Sequence, residues 1–247
     1  MRFWVQCKEG PKMLNKPVLL SIIIPVFNEE THIEEVLNKI KSVRLPENVD
    51  REIIVIDDGS SDRTPQILKK FMSDNIISVH TSVLNFGKGT AIRIGIKKAK
   101  GDIILIQDAD FEYDPNDYTR LIEPILSGKS NVVYGSRFKG RITGMKPIYL
   151  MANKILTLLA NVLYGANITD EATCYKVFSS EVIRNLDLKC GRFEFCPEVT
   201  AKISKLGYKI YEIPIDYRSR SVAEGKKINW RDGISAIWTL IKYRFVN

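Results

Sequence analysis

The chain has 247 residues, is 45% hydrophobic and 27% charged, and carries a formal net charge of +8. That composition excludes a disordered chain and allows a sizeable core, as one large or two small domains. Two histidines, and four cysteines (Cys7, Cys174, Cys190, Cys196) with no C-x-x-C pair, argue against a His-rich zinc site, a His-based triad or a disulfide framework.

Residues 1–17 show no clean period and read as an N-terminal extension. Val18 to Val26, VLLSIIIPV, reads as a strongly apolar strand. It runs into Phe27-Asn28-Glu29-Glu30. Ile33, Val36, Leu37, Ile40 and Val43 then lie at helical spacing, with Asn28 or Thr31 as the expected cap. After the loop LPENVDR a second strand, Glu52 to Ile56, enters Asp57-Asp58-Gly59-Ser60. Thr64 is the expected cap and Pro65 opens a second helix, with Ile67, Leu68, Phe71 and Met72 expected on one face. A third strand, Ile77 to Leu84, leads to Asn85-Phe86-Gly87-Lys88-Gly89 and a helix ending near Ala99. A fourth strand, Ile103 to Ile106, stops at Gln107 and is followed by Asp108 and Asp110. No signal peptide is evident, and no apolar run is expected to reach the ~18–20 residues that span a bilayer.

Strand and helix alternate, and the strands are continuously apolar, as strands buried on both faces are. This predicts an α/β fold, a doubly wound, mostly parallel sheet with helices on both faces. Ligands bind beyond the carboxyl ends of such strands, where all four polar clusters fall. Asp108 and Asp110 alternate on an extended chain, so their carboxylates point the same way. A hard divalent ion, Mg²⁺ or Mn²⁺, suits that pair, with water and substrate phosphates completing its shell. Other folds of this class fit less well. The first strand lacks a following G-x-G-x-x-G, Gly87-Lys88-Gly89 is not a P-loop, and no G-x-S-x-G elbow is present.

The set PVFNEE, IIVIDDGSSDRT and NFGKGTAIRIGIKKAKGDIILIQDADFEYDP resembles the GT-A glycosyltransferases of family 2, in particular the branch of dolichol- and polyprenol-phosphate sugar transferases. The resemblance continues through VVYGSRF, ITDEATCYKVF and GRFEFCPEVTAKISKLGYKIYEIPIDY to RSRSVAEGKKINWRDG. It implies that Pro25, Phe27 and Glu29 line a nucleotide pocket, that Asp57 or Asp58 reads the base, and that Lys88 and Gln107 lie near the donor. It also implies that Asp108 and Asp110 hold the metal that bridges the donor diphosphate. Gly87 and Gly89 would allow close backbone approach.

The second half is basic. From Arg137 onward there are 19 Lys+Arg and 10 Asp+Glu, against 18 and 19 before it. An anionic partner is expected there. Arg137 follows the apolar strand Val132 to Tyr134 and suits a phosphate, because its planar fork donates two hydrogen bonds. Arg218, Arg220, Lys226 and Lys227 crowd one later loop and are further candidates for the acceptor phosphate. Asp170, then Glu198, are the candidate bases for a hydroxyl acceptor. Pro147 to Tyr164 reads as a packed helix or a surface for a lipid chain. Tyr208 to Tyr217 alternates as an edge strand, with Pro214 suited to an edge. Residues 229–247 read as an amphipathic C-terminal helix, able to lie on anionic lipid or simply to cover the sheet.

The domain reading is a catalytic unit over 18–228, with a nucleotide-sugar half (18–115) and an acceptor half (116–228). The expected activity is inverting transfer of a hexose from a nucleotide-diphosphate sugar to a polyprenyl or dolichyl-type phosphate. The expected site is cytoplasmic, peripheral at the inner membrane face. Two alternatives stand beside it: a same-fold transferase acting on a glycan or small hydroxyl acceptor, and a non-catalytic nucleotide-sugar-binding module. Nucleic acid is not an expected partner, because the basic residues join no RNA- or DNA-binding motif.

Overall fold

The computed structural model describes residues 17–220 and 230–246. Residues 1–16 of the N-terminal extension, and Lys226 and Lys227, lie outside the described residues. The first half gives β1 (Val18–Val26), α1 (Ile33–Ser42), β2 (Val49–Asp57), α2 (Thr64–Lys69), β3 (Ile77–Thr81), α3 (Lys88–Lys98) and β4 (Ile103–Ile106). Then come α4 (Tyr118–Leu126), β5 (Val132–Ser136), β6 (Ile142–Thr143), α5 (Pro147–Tyr164), β7 (Lys176–Ser179) and α6 (Ser180–Arg184). The chain closes with α7 (Phe195–Lys205), β8 (Ile210–Pro214), β9 (Tyr217–Arg218) and α8 (Trp230–Phe245).

The main sheet has seven strands in the order β3-β2-β1-β4-β7-β5-β8. β3, β2, β1 and β4 are parallel, β7 runs antiparallel between β4 and β5, and β8 pairs parallel with β5 at the edge. This is the expected doubly wound, mostly parallel sheet. β1 is an interior strand between β2 and β4, and its Leu20, Ile22, Ile23 and Ile24 are fully buried. Each such side chain contributes roughly 1.5–3 kcal/mol through burial. α3 reaches β1 at Gly95, where a Cβ would lie 2.3 Å from Cγ2 of Ile23. The missing side chain sets that helix close to the sheet.

Several local expectations are corrected. β3 stops at Thr81, and Val83 and Leu84, apolar in sequence, are exposed. Met72 is exposed, whereas Leu68 and Phe71 are buried. α1 is preceded by His32 and has no side-chain cap. The second strand begins at Val49, inside the expected loop. α5 departs from the expectation that nothing here is long and apolar enough to cross a membrane. Its 18 residues meet that standard by length and composition, and only 17% of them are buried. It packs along α7 and α8.

Candidate functional site

The loops after β1, β2 and β3 are braced against one another. Asn28 sits at φ 49°, a left-handed conformation that Asn tolerates better than most residues. Its side-chain Oδ1 accepts the Ser61 N–H at 2.8 Å, and its own N–H donates to Ser60 Oγ at 2.9 Å. The Glu29 N–H donates to Thr64 Oγ1 at 2.9 Å, so this hydroxyl ties two loops together. Asp58 accepts the N–H groups of Phe86 (2.9 Å) and Gly87 (2.7 Å), which fixes the β3–α3 loop against β2. Asp57 lies buried beneath. Its Oδ1 accepts the Ser60 N–H at 3.0 Å, while Oδ2 has no partner among the described residues.

Gly87 and Gly89 do allow a close backbone approach, but to the chain itself. A Cβ on Gly87 would lie 2.5 Å from the Gly191 carbonyl, and one on Gly89 2.8 Å from that of Arg192. The Gly89 N–H donates to the Arg192 carbonyl at 2.8 Å.

Past β4, Asp108 and Asp110 are both engaged by cations of the chain. Lys88 Nζ lies 2.5 Å from Asp108 Oδ1, and Arg220 Nη2 lies 2.6 Å from Asp110 Oδ2. Burial opposes the charge on Lys88, but Asp108, with Cys174 and Cys196 beside it, pushes the lysine pKa up. Burial likewise works against Asp108, and Lys88 holds that carboxyl below its usual range. Asp110 is pushed up to about 7, first by burial and then by the like charges of Asp108 and Glu112, with Arg220 pulling the other way. Two carboxylates that would repel each other are therefore held together by cations from α3 and from beyond β9.

Gln107 is fully buried below this pair. Its Oε1 accepts the hydroxyls of Tyr118 (2.7 Å) and Tyr175 (2.8 Å), and its Nε2 donates to the Asp108 carbonyl at 2.8 Å. It is placed to shape the backbone under the acids. Glu112, the next alternate acid, accepts the Tyr217 hydroxyl (2.9 Å) and the Arg220 N–H (2.7 Å).

The second pole is a buried ion pair. Arg137 donates from Nε and Nη2 to the two oxygens of Asp170, each at 2.7 Å, and its backbone N–H donates to the same carboxylate at 3.0 Å. The Arg137 guanidinium lies over the Tyr217 ring at 5.0 Å. Glu198 is similarly occupied, accepting the Lys189 and Cys190 N–H groups and pairing with Lys202 at 2.6 Å. Both expected bases are thus committed to structural partners. A third carboxyl, Glu171, carries no signal in the sequence, where it is simply the neighbour of Asp170. It is fully buried, neither oxygen has a partner among the described residues, and burial pushes its pKa up.

One cavity of about 1120 Å³ joins these groups. Pro25, Phe27, Glu29, Asp58, Lys88, Asp108 and Asp110 line one end, and Arg137, Glu171 and Arg220 also border it. The other end is walled by α5, through Ile148, Ile155 and Leu156, and by α8, through Trp230, Ile234 and Ile237. Asp57, Gln107, Asp170 and Glu198 do not line it. Arg218 is exposed, and its N–H donates to the Glu112 carbonyl at 3.1 Å. Among the described residues no three His, Cys, Asp or Glu side chains converge on one point as a metal cage. Asp108 and Asp110 are hard oxygen donors side by side at a cavity wall. That set suits Mg²⁺ or Mn²⁺ when substrate phosphates and water complete the shell.

Residues 21–187 match the model of Glycosyl transferase family 2. The chain is 30% identical to the UDP-N-acetylglucosamine–dolichyl-phosphate N-acetylglucosaminyltransferase of Methanococcus voltae, over 85% of this chain and 90% of that protein. It is 28% identical to the dolichol-phosphate mannosyltransferase of Pyrococcus furiosus, over 84% of this chain but only 58% of that longer protein. Its fold superposes with a TM-score of 0.71 on glucosyl-3-phosphoglycerate synthase from Mycobacterium tuberculosis, solved with Mn²⁺ and UDP-glucose. That match covers 93% of this chain and 80% of the other at 22% identity. With the strand-end acids, the braced loops and the family match together, the chain belongs to glycosyltransferase family 2, has the GT-A fold, and is similar to the branch that acts on dolichyl phosphate.

Proposed function

We propose that the protein transfers a hexose from a nucleotide-diphosphate sugar to a polyprenyl or dolichyl-type phosphate, with inversion at the anomeric carbon. The observation that carries this reading is the single cavity running from the acidic cluster after β4 to the apolar faces of α5 and α8. A nucleotide sugar suits the first end and a lipid phosphate the second.

In this reading Asp58 takes the base. Its carboxylate is held by two backbone N–H groups, and each oxygen keeps a lone pair for a base N–H. Pro25, Phe27 and Glu29 wall the same pocket. Asp57, directly below, supports Asp58 through the loop it braces. Asp108 and Asp110 would hold Mg²⁺ or Mn²⁺, whose bound charge stabilises the departing diphosphate. Lys88, already paired with Asp108, is placed to meet a phosphate oxygen. The acceptor phosphate oxygen forms its bond to the anomeric carbon as the sugar–diphosphate bond breaks, and the nucleoside diphosphate leaves with the electron pair. No proton needs removal, because a phosphate monoester is already anionic at neutral pH. The commitment of Asp170 and Glu198 to structural partners supports that acceptor class over a hydroxyl. Arg137 borders the cavity, and Asp170 fixes two of its three nitrogens, which holds the guanidinium's positive charge in place beside an anion. Arg218, Lys226 and Lys227 add positive charge in the same stretch of sequence. Exposed Ile148, Met151, Leu158 and Val162 on α5, with Trp230 and Trp238 on α8, support peripheral attachment to a membrane surface where the prenyl chain lies.

One observation favours a second reading, transfer to a hydroxyl. Glu171 borders the cavity, and neither oxygen has a hydrogen-bond partner among the described residues. Burial favours its protonated form, however, and a protonated carboxyl donates a hydrogen bond where a base must accept a proton.

The donor half is tested by thermal shift with UDP, GDP and their sugars in the presence of Mg²⁺ or Mn²⁺. Uridine comes first because the Methanococcus voltae relative is named for UDP-N-acetylglucosamine. A ligand at a hundred times its Kd stabilises by about 2.7 kcal/mol, so the matching nucleotide is expected to raise Tm by about 5–10 °C. No shift with any nucleotide would contradict the pocket assignment.

A further inference from the structure

Arg220 holds an unusual position. It joins the acids of two strand-end loops that lie far apart in sequence. Its Nη1 lies 3.1 Å from Glu29 Oε2, its Nη2 lies 2.6 Å from Asp110 Oδ2, and its backbone N–H donates to Glu112 Oε1 at 2.7 Å. The other Asp110 oxygen accepts the Glu112 N–H at 2.9 Å, so both oxygens are engaged and each keeps one lone pair. An ion bound to Oδ2 at the usual ~2.1 Å would lie against the guanidinium and meet its positive charge at close range. The two cations therefore compete for one oxygen.

The resting arrangement is also incomplete. Arg220 Nε is buried and has no acceptor among the described residues. A buried donor without a partner is costly, and an incoming phosphate oxygen would supply what is missing. The backbone needs no large movement for this exchange. Glu112 pins it, accepting from Tyr217 and Arg220 through its two oxygens and from the Arg218 N–H through its carbonyl. Only the side chain must swing.

From these contacts we infer that Arg220 is a built-in competitor of the divalent ion, occupying Asp110 at rest and leaving it when a nucleotide diphosphate offers its phosphates. The inference rests on the proposed metal role of Asp110. Its consequence is an order of events: free metal binds weakly, and metal and nucleotide load together. The protein thereby avoids holding a bare ion, and the guanidinium released from Asp110 is delivered to the diphosphate.

The test is Mn²⁺ binding without nucleotide, followed by paramagnetic resonance of the free ion, in the full chain and in Arg220→Gln. UDP and GDP binding at fixed Mn²⁺ is then measured calorimetrically. The substitution is expected to tighten Mn²⁺ alone by about tenfold, within the 5–150-fold range of ordinary coupling, and to weaken the nucleotide by a similar factor. A merely structural role would move both affinities the same way. Arg220→Lys keeps the charge and loses the fork, so its Mn²⁺ affinity is expected between the other two. It provides the same readout if the Gln variant fails to fold. Mn²⁺ affinity that is unchanged or lower in both variants overturns the competition. Nucleotide affinity that is unchanged or higher overturns the handover. If neither the parent chain nor the variants bind Mn²⁺ or nucleotide, the metal assignment fails, and the inference with it.

Discussion

Asp110→Asn is expected to lower sugar transfer by about 10²–10³-fold, the usual cost of removing one group that stabilises developing charge. The side chain keeps its size and loses the negative charge that the proposed metal needs. The fold is expected to survive. Burial, Asp108 and Glu112 push the Asp110 carboxyl up to about 7, so the folded chain holds this proton more tightly than the unfolded one. The sign follows: this group's contribution is greatest at low pH and is lost as pH rises from about 4 through 7. A neutral amide removes that cost, which offsets the lost contact with Arg220. Melting curves of the variant and the parent at pH 7 are expected within a few degrees of each other. A variant that transfers sugar at the parent rate would remove Asp110 from the chemistry.

Asp170→Asn is expected to act on stability instead. Asp170 is fully buried and supplies both oxygens to Arg137. Breaking such a pair leaves a buried, uncompensated guanidinium and costs about 3–5 kcal/mol. For a chain of this size that is about 6–20 °C in Tm. A catalytic base would behave in the opposite way, with a collapse in turnover and an unchanged melting curve. Replacing both partners by apolar residues, Arg137→Met with Asp170→Leu, is expected to recover most of the lost stability. Such exchanges are often neutral or better for folding. Turnover is expected to stay low in the double variant, since the cavity loses Arg137. Urea unfolding and steady-state rates measured on the same samples separate the two roles of the pair.

What could be read from residues alone followed a physical rule. β1, β2 and β4 were legible because a strand buried on both faces has nothing to write but apolar side chains, and Ile22, Val55 and Leu105 obey it. The acids beyond those strands were legible by position: Glu29, Asp58, Asp108 and Asp110 line the cavity because they follow strand ends. Lys88 was legible in the same way. β7 was not, because its first residue, Lys176, is a lysine buried within the fold, its Nζ bonded to the Glu171 carbonyl and set over the Tyr134 ring. Nor could pairing across distance be read. In sequence Asp170 is free to act as a base; in the fold Arg137, 33 residues earlier, holds it. Arg220 looked like an acceptor-side cation, yet it reaches back 191 residues to Glu29. Gln107 sits one residue before the acids in sequence and points into the core, because successive side chains on an extended segment alternate. α5 and α8 were read as amphipathic or packed helices. Their role as walls of the same cavity became visible only when the sheet placed them side by side.

The central claim is transfer to a polyprenyl phosphate. The most direct test supplies the chain with Mg²⁺ or Mn²⁺, a labelled nucleotide sugar chosen by the thermal-shift screen, and polyprenyl phosphate in detergent or anionic vesicles, with free glycans as competing acceptors. The account predicts that the label enters the lipid as a sugar phosphate of inverted anomeric configuration, and that unphosphorylated polyprenol accepts none. Label appearing in a glycan hydroxyl and not in polyprenyl phosphate would contradict it and make Glu171 the residue to examine.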